Sequence, residues 1–177
     1  MSRSFARVRG LGFILWHARH EFYHVLLGIT WAWILREWWG LFNIKWVVVS
    51  VFGSLLPDAE HLFYFFANRR NDEYTKQIIR ALREHEWRLL TVFIEKGHKY
   101  NTNLAFHNIY VIFFLFFAAT LCVIVDWRSW VVLIGAMIIH YLFDIFDDII
   151  TLGYVNPNWK RWGRARKHLQ KVKIIKN

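Results

Sequence analysis

LAFHNIYVIFFLFFAATLCVIVDWRSWVVLIGAMIIHYLFDIFDDIITL, residues 104–152, decides the fold. Its first part, residues 104–125, contains no Asp, Glu, Lys or Arg before Asp126. A helix needs about 20 mainly apolar residues to cross a bilayer, and this stretch supplies them. Asp126, Trp127 and Arg128 interrupt the run, and a second apolar stretch follows over residues 130–152. That second stretch carries His140 at its middle and Asp144, Asp147 and Asp148 in its later part. An ionisable group at the centre of a membrane helix costs roughly 2.5 kcal/mol or more, so such groups face a partner, a cavity or a metal.

Upstream, residues 46–66 repeat the pattern: apolar for most of their length, then Pro57, Asp58, Glu60 and His61. Residues 22–35 form a shorter apolar segment that contains His24 and is preceded by His17, His20 and Glu21. The expected fold is all-α, a polytopic membrane protein with about four transmembrane helices over residues 22–35, 46–66, 104–125 and 130–152, all in one domain of 177 residues. Between the second and third spans, residues 72–96 set Ile78, Ile79, Leu82, Leu89 and Leu90 among charges, the pattern of an amphipathic helix on the cytoplasmic surface. Such a helix can roof a site enclosed by the spans. The tail, residues 155–177, is basic and carries Trp159 and Trp162, as a segment resting on anionic headgroups would.

Composition agrees. With 56% hydrophobic and 19% aromatic residues, gathered in long runs, an ordinary soluble domain is excluded. The single cysteine, Cys122, excludes an intrachain disulfide. No cleavable signal peptide is expected, because His17, Arg19, His20 and Glu21 interrupt the first apolar run. Four spans place both termini on one side. Of the 23 Lys and Arg residues, 20 fall in the N-terminal arm, the 67–103 loop and the tail, which makes that side cytoplasmic and the location the inner membrane. Trp31, Trp33, Trp38, Trp39, Trp46, Trp127 and Trp130 then form the aromatic belt of the opposite face. This orientation accounts for the net charge of +10, so membrane lipids are the expected partners and no nucleic acid is.

With this topology His24 and His107 lie early in outgoing helices, and Asp58, His61, His140 and Asp144 lie late in returning ones. Six candidate metal ligands share one depth. Asp58 and His61 are three apart and His140 and Asp144 four apart, spacings that set side chains on one helix face. His20 has the same four-residue relation to His24 and stays open as a further ligand. Imidazole and carboxylate donors suit zinc, manganese or iron, one ion or two. Two cations about 3.5–4 Å apart would polarise a phosphoryl or carbonyl oxygen and generate the attacking nucleophile. Asp58 is the expected bridge, since Pro57 before it tends to kink or end the helix and open room there. Glu60 is expected to orient a histidine or act as general base, and Asp148 to support the cluster or handle the proton.

The stretch GSLLPDAEH, residues 53–61, resembles the LPDxDH signature of the prokaryotic membrane-bound metal-dependent hydrolases, described as LexA-regulated inner-membrane proteins. His24 with Gly28, the histidine opening the third span and the HxxxD of the fourth are similar to that family too, over roughly residues 17–157. Glu60 stands where the family has a second Asp, and GHKYNTNLAFHN, residues 97–108, only loosely resembles its HRGxTHS-like segment, so His107 carries over better than His98. A more distant likeness is to zinc-dependent phospholipase C. The resemblance implies a metal-dependent hydrolase. Together with the location of the cluster, it leads us to expect cleavage of an ester or phosphodiester bond in a lipid or amphiphile, with Arg69, Arg70 or Lys99 holding an anionic headgroup. The alternatives are a metal-binding structural or regulatory membrane subunit without catalysis, and a metal or proton transporter.

Overall fold

The computed structural model describes residues 11–64, 71–93 and 104–160. All elements among them are helical: α1 (Leu11–Trp39), α2 (Ile44–Leu55), a 3-10 turn (Leu56–Asp58), α3 (Ala59–Phe63), α4 (Glu73–Arg83), α5 (Trp87–Val92), α6 (Ile109–Ile124), α7 (Arg128–Leu152) and a second 3-10 turn (Pro157–Lys160). Parts of three expected segments lie outside the described residues: 65–66 of the second span, 94–96 of the amphipathic helix and 161–177 of the tail. Arg69, Arg70, His98 and Lys99 lie outside them as well.

Helices α1, α2 and α7 pack on one another, and α6 packs on α7. Small residues permit the close approach. A Cβ on Gly28 of α1 would lie 2.7 Å from Ser54 Oγ and 2.8 Å from Val51 Cα, both on α2. At the same crossing Ser50 Oγ donates to the Gly28 carbonyl at 2.6 Å. A Cβ on Gly53 of α2 would stand 2.7 Å from the Leu133 carbonyl of α7. Gly135 of α7 faces the Trp31 indole, which leaves no space for a side chain, and Trp31 Nε1 donates to the Val132 carbonyl at 3.1 Å. Trp31 therefore serves the helix packing. Leu35, Ile112, Leu115, Val132, Ile138, Tyr141 and Trp159 fill the core between these crossings.

Turn chemistry fixes the connections. Gly40, with φ +64, takes the left-handed conformation that ends α1, and the Asn43 side chain caps α2 by accepting from Lys45 N at 2.9 Å. Between α6 and α7 the chain turns through Asp126, φ 52, whose carboxylate accepts from Arg128 Nε at 2.9 Å. One end of the bundle is aromatic: Trp39 and Trp46 rings lie 4.9 Å apart, and Arg36 sits 4.6 Å over Trp33. The other end holds the His and Asp residues.

Several boundaries differ from the sequence expectation. The third apolar helix starts at Ile109 and not at Leu104, because Asn108 caps it, accepting from Val111 N at 3.0 Å. The surface helix is two helices, α4 and α5, broken where His85 takes φ 54. They make a small core of their own, with Ala81 and Leu90 buried against Ile78, Trp87 and Phe93. Tyr74 Oη donates to the Phe93 carbonyl at 2.6 Å, and burial pushes its phenol above the ordinary range. Among the described residues, Arg128–Ile150 is long and apolar enough to cross a membrane, and Ile109–Ile124 is apolar but shorter. The α6 surface is nonetheless strongly apolar: Phe113, Phe114, Phe117 and Ile124 are each more than 60% exposed.

Candidate metal centre

Four parts of the chain deliver side chains to one point. Helix α1 presents His20 and His24 from successive turns. The helix of residues 44–55 stops because Pro57 has no N–H for the preceding turn, and the resulting 3-10 segment carries Asp58, followed by His61 in α3. His107 sits just ahead of the Asn108 cap, so the cap that starts α6 also fixes the backbone beside this ligand. Helix α7 supplies His140 and Asp144 from one face.

The two carboxylates lie at the centre. Asp144 Oδ1 is 3.5 Å from His24 Nε2 and 3.7 Å from His20 Nε2. Its Oδ2 is 3.1 Å from His140 Nε2 and 3.7 Å from His107 Nε2. Asp58 Oδ1 is 3.8 Å from His140 Nε2 and 3.9 Å from His61 Nε2, and its Oδ2 is 3.9 Å from His24 Nε2. His20 and His24 bring their Nε2 atoms within 3.0 Å, and the His24 and His140 rings stack at 3.9 Å. Both aspartates, and not Asp58 alone, face histidines through both oxygens.

Partners on the outer side set the imidazole orientation. His140 Nδ1 donates to the Ser54 carbonyl at 2.6 Å, which leaves Nε2 to face the carboxylates with its lone pair. His107 Nδ1 donates to Glu60 Oε2 at 2.9 Å, with the same consequence for its Nε2. Glu60 is itself held, accepting from the backbone N–H groups of Ala105 and Phe106. Asp148 Oδ2 accepts from Trp159 Nε1 at 2.9 Å, and the Trp159 ring lies 5.9 Å from His107. Glu60 and Asp148, expected as catalytic groups, are thus placed to orient neighbours.

This arrangement fits a divalent cation. Among the described residues, Asp58 Oδ2, Asp144 Oδ1, His107 Nε2 and His140 Nε2 are buried without a hydrogen-bond partner, and so is His24 Nδ1. Imidazole lone pairs aimed at carboxylate oxygens repel unless a cation or a proton lies between them, and the His140 to Asp144 approach lacks the alignment of a hydrogen bond. Donors around a tetrahedral ion at metal–ligand distances near 2.0–2.2 Å are about 3.3–3.6 Å apart, close to the spacings here. Four sets of three residues meet the geometric requirement for holding an ion: His20, His24, Asp144; His24, Asp58, His140; Asp58, His61, His107; and His107, His140, Asp144.

All six ligands expected from sequence come together, and His20 joins them. Glu21 also lies beside Asp58, at the exposed edge of the cluster. Sequence reasoning left His20 open and set Glu21 aside, because both sit in a mixed polar stretch where only helix phase tells which side chains turn inward. It missed the Ser54 carbonyl, whose one signal was Pro57 nearby, and it assigned Trp159 to the membrane interface where the structure buries it. Comparison with family models, with curated proteins and with solved structures finds no match for this chain.

Proposed function

We propose that this protein is a membrane-embedded, metal-dependent hydrolase whose cytoplasm-facing His/Asp cluster cleaves an ester or phosphodiester bond in a lipid or amphiphile. The observation that carries this reading is the convergence of seven candidate ligand side chains, among which Asp58 Oδ2, Asp144 Oδ1, His107 Nε2 and His140 Nε2 are buried without a hydrogen-bond partner among the described residues. A divalent cation there, zinc by its donor set with manganese and iron as alternatives, supplies a Lewis acid for a phosphoryl or carbonyl oxygen and an acidified water.

The chain's own residues supply orientation and access. Asp58 and Asp144 hold the centre, and Ser54 and Glu60 hold the rings of His140 and His107. His24 and His140 are fully buried, whereas the side chains of His61 and His20 are 25% and 46% exposed, so the cluster is not closed off from the surface. That exposure favours a site that meets a substrate over one that only locks helices together.

The membrane part of the reading rests on the apolar surface of α6, on the length of Arg128–Ile150 and on the one-sided distribution of Lys and Arg. A substrate with acyl chains in the bilayer and an anionic headgroup at the cations suits a site at that depth. The test is hydrolysis by detergent-purified protein loaded with zinc or manganese, using bis(4-nitrophenyl) phosphate and a short-chain phospholipid in mixed micelles. Turnover that falls at least 100-fold in Asp144→Asn and His140→Ala supports the hydrolase. A wild type that binds metal but cleaves neither class points to the metal-binding membrane subunit instead.

A further inference from the structure

We propose that the centre is dinuclear and unequal, with an outer compartment built on His20 and His24 and an inner one built on His61, His107 and His140. This rests on the metal-centre reading above and goes beyond it in stoichiometry, in the ligand set of each ion and in their order of exchange. Five imidazoles and two carboxylates meet at this point, which is more than one ion takes when tetrahedral zinc is satisfied by four donors.

The carboxylate oxygens sort these donors. Asp144 Oδ1 and Asp58 Oδ2 approach the histidines of α1: His24 Nε2 at 3.5 and 3.9 Å, and His20 Nε2 at 3.7 Å from Asp144. The opposite oxygens approach the other three. Asp144 Oδ2 lies 3.1 Å from His140 and 3.7 Å from His107, while Asp58 Oδ1 lies 3.8 Å from His140 and 3.9 Å from His61. Each aspartate turns one oxygen to each compartment, the arrangement of a bridging carboxylate. Of the four sets of three ligands, only His24, Asp58, His140 crosses the divide, and it does so at the bridge.

An independent observation marks the outer compartment. The two oxygens facing it, Asp144 Oδ1 and Asp58 Oδ2, are both buried without a hydrogen-bond partner among the described residues. Two unpartnered carboxylate oxygens that both approach His24 Nε2, one of them also approaching His20 Nε2, call for a cation. The compartments also differ in support and exposure. In the inner one, His107 and His140 are oriented by Glu60 and Ser54 and are almost fully buried. In the outer one, the His20 side chain is 46% exposed. The outer ion therefore binds more weakly, exchanges first and faces the incoming substrate.

The experiment is a manganese(II) titration of the full chain in detergent, read by metal content and by electron paramagnetic resonance, on wild type, His20→Ala and His20→Glu. Wild type is expected to take up two equivalents with an exchange-coupled multiline spectrum. His20→Ala keeps one equivalent with an uncoupled six-line spectrum, and His20→Glu, which restores a donor, recovers the second. Circular dichroism establishes that the variants are helical, and the His20→Glu result stands if His20→Ala does not fold. Saturation of wild type at one uncoupled equivalent overturns the dinuclear assignment, a coupled pair that survives in His20→Ala overturns the outer compartment built on His20, and either result leaves the metal centre standing. No uptake of manganese or zinc by wild type overturns both.

Discussion

His107 shows how much of this site depends on single residues around the ligands. Its ring is held by Glu60, which is held in turn by two backbone N–H groups, so the carboxylate acts as a rigid bracket. Removing such an outer partner of a metal-ligating histidine costs about 10–100-fold in metal affinity. Glu60→Gln should lower zinc affinity by that factor with helix content unchanged, as read by competition with a chromophoric chelator. An unchanged affinity would mean that Glu60 does not position His107. The candidate ligands were legible in the sequence because Asp58, His61, His107, His140 and Asp144 interrupt or flank apolar runs, where ionisable groups are costly without a purpose. His20 was less legible, since His17, Arg19 and Glu21 around it hide which face of α1 is which. The Ser54 carbonyl left only the indirect signal of Pro57 nearby, because a backbone acceptor leaves no mark of its own on the side-chain sequence.

At the scale of elements, the bundle is set by glycines and by one buried tryptophan. A Cβ on Gly53 would stand 2.7 Å from the Leu133 carbonyl, a backbone atom that cannot turn aside. Gly53→Val should therefore destabilise the α2–α7 crossing by at least the roughly 1–3 kcal/mol typical of overpacking, seen as a lower Tm in detergent. Trp159 ties the segment after α7 back to that helix through Asp148 and packs near His107 and Tyr141. Trp159→Phe keeps an aromatic ring and removes one donor to a buried carboxylate, so a loss of about 1.5–3 kcal/mol is expected on thermal unfolding. A Tm within error of wild type would remove the tie from the account. Element existence followed from apolar runs, but element ends did not. The 104–125 run counts as one hydrophobic stretch, yet Asn108 caps the helix within it. The polar face of residues 72–96 continues past Arg83, where His85 breaks the helix in the left-handed conformation without any glycine to announce it.

For the whole molecule, the aromatic end and the apolar flank of α6 belong to one bundle, with the candidate metal centre at the end opposite Trp39 and Trp46. In the proposed orientation the chain stays with membranes after alkaline carbonate washing, and reporters fused to either terminus read cytoplasmic; release into the soluble fraction would remove the membrane part of the proposal. The central claim is the metal centre itself. Its most direct test is metal content by mass spectrometry on detergent-purified protein, wild type beside Asp58→Asn, with circular dichroism as the control for folding. Asp58 is the residue to change because it faces His24, His61 and His140 at once. The account predicts bound zinc, manganese or iron in the wild type and its loss from a variant that remains helical. A wild type without metal after reconstitution with each of these ions would contradict it.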